Sequence, residues 1–198
     1  MFHFYAYLAR MKLIDRWGLM RCTSRENVQE HSLQVAVIAH GLALVKNKYF
    51  GGKISPERVA LLAMFHDATE VLTGDLPTPV KYFSGEIRDA YRAIEGHAAT
   101  QLLSLLPADL KNDYESLLTI SDNESEAEHL IKAADTICAY TKCLEERAAG
   151  NHEFSRAEKT IGEKLTQLRK QPEVDYFMKQ FVPSFTLTLD ELSQPLET

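Results

Sequence analysis

The stretch from Ala60 to Val80, ALLAMFHDATEVLTGDLPTPV, constrains the fold more than any other part of the chain. Its segment Leu61 to Phe65 is apolar on every side, which predicts a helix that other helices surround. We expect this helix to run from Glu57 to Leu72, about four turns, and to end in a rigid polar loop, Thr73 to Pro79. The sequence therefore predicts an all-α protein, a helical bundle around one central helix.

Two ionisable residues, His66 and Asp67, interrupt the apolar pattern of this predicted helix. Ionisable side chains are seldom buried without a partner, so the pair predicts a bound metal ion. The two residues are about 100° apart around a helix and can reach one ion, and Glu70 lies over the same face one turn later. A lone His-Asp pair is common by chance, so other residues have to support the site.

Two further residues provide that support. His31 lies on the helix predicted from Asn27 to Val45, and Asp135 lies on a later helix among alanine and isoleucine side chains, where an unpaired carboxylate would be costly. Three helices thus offer two imidazoles and two carboxylates, which is what a mononuclear metal site in a bundle requires. The alternatives are a structural His66-Asp67 pair, an ordinary core histidine at His31, and a surface or capping acid at Asp135.

Capping signals and hydrophobic periodicity predict the other helices. Asn27 with Glu30 resembles a capping box, and Ser55-Pro56-Glu57 is typical of a helix start. The remaining helices are predicted at Phe2 to Leu13, Ser84 to Leu106, Ala108 to Leu118, Ser121 to Gly150 and Asn151 to about Arg169, with a weakly periodic tail from Thr186 to Thr198.

Length and composition indicate a single domain, since 198 residues with 45% hydrophobic content can bury one sizeable core. Within residues 1–198 we expect a metal-site core at about 27–150, an N-terminal substrate loop at 14–26, and C-terminal helices at 151–198. The net charge of −6 argues against a nucleic-acid polymer or an anionic membrane as partner. The three cysteines have no C-x-x-C spacing, and no leader or long apolar segment is evident, so we expect a cytoplasmic protein.

The order His31, His66-Asp67, Asp135 resembles the HD-domain superfamily of metal-dependent phosphohydrolases. More closely, the strings LIDRWGLMR, ENVQEHSLQVA, LLAMFHDATEVLTGDLPTPVKYF, IKAADTICAYTKCLEE and DYFMKQFVPSF resemble the bacterial 5′-deoxynucleotidases of the YfbR type over essentially the whole chain. The resemblance implies a single-domain HD-type helical bundle that hydrolyses deoxyribonucleoside 5′-monophosphates. It also implies a divalent cation such as Co²⁺, Mn²⁺ or Cu²⁺, and a homodimer.

The resemblance implies a role for each matching residue. The metal ligands would be His31, His66, Asp67 and Asp135; the catalytic residues Glu70 and Arg16; and the substrate contacts Arg16, Trp17, His31, Asp67, Asp75, Leu76, Pro77, Thr78 and Asp135. The chemistry is consistent, because a guanidinium forms a planar fork that suits phosphate and an indole offers a face on which any base can stack. The alternatives are a solvated loop charge at Arg16, a core side chain at Trp17, and a carboxylate at Glu70 that supports the ligands without transferring protons.

The sequence is also compatible with two other functions. Another HD-type hydrolase would act on a phosphodiester, a nucleoside triphosphate or an alarmone. A triphosphate usually requires more cations near the site than Arg16, Arg21, Arg25 and Lys81 supply. A metal-bearing helical regulatory module without turnover is the second rival.

Overall fold

Helices form the described part of the chain, and no β-strand occurs there, which confirms the all-α prediction. The computed structural model describes residues 1–81, 83–119 and 124–194, apart from the side chain of Thr78. The helices are α1 (Phe4–Leu8), α2 (Val28–Tyr49), α3 (Pro56–Phe65), α4 (Glu70–Thr73), α5 (Thr78–Lys81), α6 (Gly85–Ser104), α7 (Ala108–Leu118), α8 (Ser125–Ala148), α9 (Ser155–Leu168), α10 (Pro172–Gln180) and α11 (Leu189–Leu192). Among these residues, no helix is long and apolar enough to cross a lipid bilayer.

Helix α2 begins where its capping signal predicts. The backbone N–H of Glu30 donates to Asn27 Oδ1 at 3.0 Å, and the backbone N–H of Asn27 donates to Glu30 Oε2 at 3.4 Å, so the capping box is confirmed. The helix continues to Tyr49, one turn beyond the predicted end at Val45. Because two free N–H groups are satisfied at its start, the first turn of α2, which carries His31, is well fixed.

Helices α2, α3 and α8 pack against one another around the main apolar cluster. Leu42 of α2, Leu62 of α3, and Leu130 and Ile137 of α8 are completely buried there. Each fully buried aliphatic side chain of this size contributes about 1.5–3 kcal/mol. The predicted metal ligands lie on α2, on α8 and directly after the end of α3. These three helices are therefore held rigidly relative to one another.

The prediction that the central helix runs from Glu57 to Leu72 is wrong, because α3 ends at Phe65. The acceptor that would continue it, Ala63 O, instead accepts from the ring Nδ1 of His66 at 2.7 Å and from its backbone N–H at 3.4 Å. In a continuing α-helix that carbonyl would accept from the N–H of Asp67. Residues 66–69 form tight turns instead, so the His-Asp pair lies at a helix end and not at a helix centre.

The prediction that α3 is enclosed on all sides is also wrong. Leu61 is 39% exposed and Met64 is 45% exposed, whereas Val59, Leu62 and Ala63 are completely buried. Helix α3 is buried on one face and exposed on the other, and its sequence hides this because both faces carry apolar side chains.

Several other boundaries differ from prediction. The first helix is α1 followed by a 3₁₀ turn at Met11–Leu13, and Asn151 caps a 3₁₀ turn at His152–Phe154 before α9 begins. A 3₁₀ turn at Val182–Thr186 leads into the weakly periodic tail, which contains the capped helix α11. The predicted N-cap Ser121 lies outside the described residues.

A buried ion pair on α8 fixes the loop at residues 14–26 to the helical core. Lys142 Nζ lies 2.6 Å from Glu146 Oε1 and also donates to Ser24 O at 2.6 Å. The Glu146 carboxylate, 1% exposed, accepts from the backbone N–H groups of Thr23 and Ser24, from the Thr23 hydroxyl, and from Asn151 Nδ2. These bonds hold the pKa of Glu146 well below its usual range, against the effect of its burial. The end of the loop is therefore tied to α8.

Replacing this carboxylate should destabilise the protein. We expect Glu146→Ala to lower the free energy of unfolding by about 3 kcal/mol, because it leaves the Lys142 ammonium buried without its counter-charge. Urea denaturation at neutral pH measures the loss, with Glu163→Ala on the exposed face of α9 as the matched control. A loss no larger than the control's would show that the ion pair contributes little.

Candidate metal and substrate site

Four predicted ligand side chains meet where α2, α8 and the end of α3 approach one another. Asp67 Oδ2 lies 3.6 Å from His31 Nε2 and 3.1 Å from His66 Nε2. Asp135 Oδ1, on α8, lies 3.1 Å from His31 Nε2. His31, His66 and Asp67 have ligand atoms within 4.8 Å of one another, and Asp135 lies beside this cluster, against His31. The structure thus brings together all four, although their role as ligands stays a prediction.

The two imidazoles fit a metal ion. The Nε2 atoms of His31 and His66 are buried and have no hydrogen-bond partner among the described residues. His66 Nδ1 faces a carbonyl and must carry a proton, which leaves Nε2 as its ligand atom. Atoms bound to one ion at about 2.1 Å lie roughly 3.0–3.4 Å apart, close to the distances found here. His31 is fully buried and bonds no carbonyl in the described part of the chain, so the prediction of an ordinary core histidine is not supported.

The site is strongly polarised by its own charges. Burial alone would lower the pKa of His66, but the adjacent Asp67 carboxylate outweighs burial and raises that pKa to about 9. Burial alone would raise the pKa of Asp67. The charges of His66, His31 and Arg16 outweigh burial and hold that pKa well below its usual range. Burial lowers the pKa of His31, and neighbouring Arg16 adds to this effect. Without a cation the imidazole of His66 therefore carries the positive charge at this position.

Glu70 begins α4, after the turns of residues 66–69, and so does not continue the helix that was predicted to carry it together with His66 and Asp67. Its side chain is buried, and Oε2 has no hydrogen-bond partner in the described ranges. Burial raises its pKa to about 9, with the charges of Asp67 and Asp75 adding to the effect. Burial thus favours the protonated form of Glu70, whereas its neighbours favour the charged form of Asp67.

Arg16 extends from the loop at 14–26 into the site. Its Nη1 lies 3.6 Å from Asp67 Oδ2, and its side chain is 13% exposed, so it is not a solvated loop charge. Trp17 is half-buried; its ring lies 5.3 Å from the ring of Phe154, and its Nε1 donates to Glu26 Oε2 at 3.0 Å. The structure thus places the guanidinium beside the predicted ligands, with the indole next to it in sequence.

The predicted sugar and base contacts lie in the segment after α4. Gly74 ends α4 with φ +73°, a conformation that favours glycine, and Asp75, Leu76 and Pro77 follow as half-buried residues. Burial raises the pKa of Asp75, while Arg16 counteracts this. Thr78 begins α5, and its side chain lies outside the described part of the structure.

Glu26 is a site residue that the sequence analysis missed. Its Oε2 lies 3.6 Å from Arg16 Nε, and its Oε1 lies 3.8 Å from His31 Nδ1. The available signal was an acid placed among basic residues and directly before the N-cap of the helix that carries His31. Histidines that bind metals commonly have a carboxylate near their second ring nitrogen, so a search for such a partner would have pointed here.

Comparison with known proteins identifies the family. A family model described as 5′-deoxynucleotidase YfbR-like matches residues 3–185. The chain belongs to this family. A 5′-deoxynucleotidase of Vibrio atlanticus is 56% identical over 191 residues, 96% of this chain and 98% of that protein. The 5′-deoxynucleotidase YfbR of Salmonella paratyphi B is 56% identical over 192 residues, 97% of this chain and 96% of that protein. The resemblance to YfbR-type proteins is confirmed.

Solved structures confirm the HD-type fold of this YfbR-like chain. An HD-domain phosphohydrolase from Listeria innocua superimposes with a TM-score of 0.80 at 23% identity, covering 92% of this chain and 88% of that one. The HD phosphohydrolase DatZ of cyanophage S-2L superimposes with a TM-score of 0.64 at 22% identity, covering 92% and 96%. The DatZ structure contains dA and one catalytic Zn²⁺ ion.

Metal binding to this YfbR-like chain should stabilise it. A cation at one hundred times its dissociation constant adds about 2.7 kcal/mol to the free energy of unfolding, so the melting temperature should rise with Mn²⁺ or Co²⁺ and fall back with chelator. We expect Asp67→Ala to lose most of this rise, because it removes a central ligand. Exposed Asp113→Ala on α7 is the control. Equal rises in both variants would contradict a metal site at Asp67.

Proposed function

We propose that this protein is a metal-dependent 5′-deoxynucleotidase, which hydrolyses deoxyribonucleoside 5′-monophosphates to a deoxyribonucleoside and phosphate. The observation that carries the proposal is a cluster beside the Arg16 guanidinium, in a chain of the YfbR-like family. It consists of two carboxylates and the Nε2 atoms of His31 and His66, which have no hydrogen-bond partner within the described ranges. The names of its relatives and the dA bound to DatZ support the same substrate class.

His31, His66, Asp67 and Asp135 would hold the divalent cation. When bound, such an ion lowers the pKa of a coordinated water towards neutrality and polarises a phosphoryl oxygen. The donor set fits, because imidazole and carboxylate together accept several first-row metals. We propose Co²⁺, Mn²⁺ or Cu²⁺ as the active ion.

Arg16 and Glu70 supply the remaining chemistry. Arg16 offers paired N–H groups to the phosphate dianion, and such charge-assisted contacts are strong in a water-poor site. In the hydrolysis a water oxygen bonds to phosphorus and the bond to the 5′ oxygen breaks, so the water loses a proton and the leaving oxygen gains one. Protonated Glu70, with a pKa raised to about 9, can give its proton to the 5′ oxygen and take one from the water.

Substrate selection is assigned to the residues around this centre. Trp17 offers a face for the base, which would tolerate different bases because every base has a π-face. Asp75, Leu76, Pro77 and Thr78 would contact the sugar and base. His31, Asp67 and Asp135 would also contact the phosphate, because they would hold the cation next to it.

A phosphate-release assay tests the activity. Purified protein with Co²⁺ or Mn²⁺ should release orthophosphate from dAMP and TMP far faster than from AMP, and Glu70→Gln should lower the turnover number by about 10²- to 10⁴-fold. Exposed Glu115→Gln on α7 is the matched control. Release of pyrophosphate or triphosphate would favour another HD-type hydrolase, and no cleavage at all would favour a non-catalytic metal module. Equal rates on dAMP and AMP would refute only the sugar selectivity.

We also propose that the chain acts as one domain in a homodimer. One apolar cluster includes side chains of α2, α3, α7, α8, α9 and α10, which supports a single unit over residues 1–198, with a metal-site core at 27–150, a substrate loop at 14–26 and C-terminal helices at 151–198. Leu33, Val37 and Leu44 share an exposed face of α2, and Leu61 and Met64 are exposed on α3, which packs against α2. A second copy would remove this apolar face from water.

The net charge and cysteine spacing support small-nucleotide partners in the cytoplasm.

The dimer predicts a specific effect of charge on α2. We expect Val37→Asp to shift the protein from dimer to monomer in size-exclusion chromatography with light scattering, because a carboxylate would be buried in the contact. Exposed Ile94→Asp on α6 should leave the dimer intact. A monomeric wild-type protein at micromolar concentration would contradict the proposal.

A further inference from the structure

The loop at residues 14–26 closes on itself directly before α2. The backbone N–H of Arg16 donates to Glu26 O at 2.9 Å, and the N–H of Val28 donates to Ile14 O at 3.0 Å. Asp15 and Asn27 form an antiparallel bridge between these bonds. Glu26 therefore sits at the neck of the loop, where the chain leaves the loop and enters the helix that carries His31.

The Glu26 carboxylate faces three functional side chains at once. It accepts from the Trp17 indole at 3.0 Å, lies 3.6 Å from Arg16 Nε, and lies 3.8 Å from His31 Nδ1. Its side chain is 13% exposed, so water competes weakly for these contacts. One carboxylate thus links His31, a predicted metal ligand, to Arg16 and Trp17, the two predicted substrate residues of the loop.

Trp17 has an unusual backbone conformation that requires such support. Its φ of 58° makes it the one non-glycine residue with positive φ in residues 1–81, 83–119 and 124–194. Conformations of this kind cost on the order of 1–3 kcal/mol and persist only where the surroundings determine them. The contacts of the indole with Glu26 and with the ring of Phe154 stabilise this backbone conformation of Trp17.

Glu26 also controls which edge of the Arg16 guanidinium is free. Arg16 Nε faces Glu26, while Nη1 points towards Asp67, 3.6 Å away. The contact of Nε with Glu26, 3.6 Å long, is an ion pair and not a hydrogen bond, and it leaves the terminal N–H groups of the guanidinium for a second partner. In the proposed site that partner is the phosphate.

We infer that Glu26 is a positioning residue, which holds Arg16 and Trp17 in register with His31 so that phosphate and base meet the metal centre together. The inference rests on the proposed function. Glu26 itself touches neither substrate nor reacting atoms, and it acts through the two loop side chains. Its removal should therefore affect substrate binding and the environment of Trp17 together.

The single tryptophan makes this testable without activity, because intrinsic tryptophan emission reports on Trp17 alone. We expect Glu26→Ala to shift that emission to longer wavelength and to increase its quenching by acrylamide. With saturating Mn²⁺, its KM for dAMP should rise at least tenfold, with a smaller change in kcat. Glu26→Gln keeps an oxygen for the indole but loses the charge opposite Arg16, so it should raise KM while leaving the emission near that of the wild type.

Glu153→Gln provides the matched control, because Glu153 pairs with exposed Arg21 of the same loop and contacts neither Arg16 nor Trp17 among the described contacts. It should leave emission, quenching and KM unchanged. Wild-type emission in folded Glu26→Ala, or a wild-type KM in Glu26→Gln, would overturn the inference. If the wild-type protein cleaves no nucleotide, the proposed function fails, and acrylamide quenching still decides whether Glu26 holds Trp17.

Discussion

The site depends on two imidazole nitrogens that are buried without hydrogen-bond partners among the described residues, one on His31 and one on His66. A buried polar atom left unpaired costs about 1–3 kcal/mol. Asp67 Oδ2 faces both Nε2 atoms, at 3.6 Å from His31 and 3.1 Å from His66, so one carboxylate oxygen serves both imidazoles. A divalent cation would satisfy both atoms and the charges of Asp67 and Asp135. The fold thus concentrates unsatisfied ligand atoms at one point, and the surrounding apolar packing keeps them there.

The break after α3 helps to build this point. Because His66 donates its Nδ1–H to Ala63 O, the helix cannot continue, and the ring turns its other nitrogen towards Asp67. The same hydrogen bond therefore ends the helix, fixes the tautomer and aims the ligand atom. Metal-binding histidines typically need such a partner for the second nitrogen. In His31 the second nitrogen, Nδ1, faces the Glu26 carboxylate at 3.8 Å, a distance too long for a hydrogen bond.

Sequence reasoning singled out the four candidate ligands, which the structure brings together, because each is an ionisable residue in an otherwise apolar helical pattern, as Asp135 shows among its alanines. It also placed the start of α2, where Asn27 and Glu30 form a local motif, and the bounds of α7 after Pro107. It missed the end of α3, since the apolar pattern continues through Leu72 and the break comes from a side chain to backbone bond. Glu26 was missed because its partners meet only when the loop closes.

The Lys142–Glu146 pair shows the same limit, since at i, i+4 spacing it reads as an ordinary surface pair until the loop covers it. Asp135, Lys142 and Glu146 are seven and then four residues apart, so they share one face of α8. That face presents a predicted ligand to the metal centre and an ion pair to the substrate loop. One rigid helix therefore sets the distance between the two parts of the site.

The two acids nearest the His-Asp turn have opposite protonation preferences for a physical reason. Asp67 has cationic neighbours on several sides, including His66 and Arg16, and its pKa lies well below the usual range. Glu70 is buried without a cationic partner in contact in the described structure, and the negative charge of Asp67 helps to raise its pKa to about 9. Neighbouring groups whose environments separate their pKa values are suited to different roles in one reaction. Asp67 is thus suited to bind a cation and Glu70 to carry a proton, because the surroundings of each position, and not the choice of aspartate or glutamate, set these preferences.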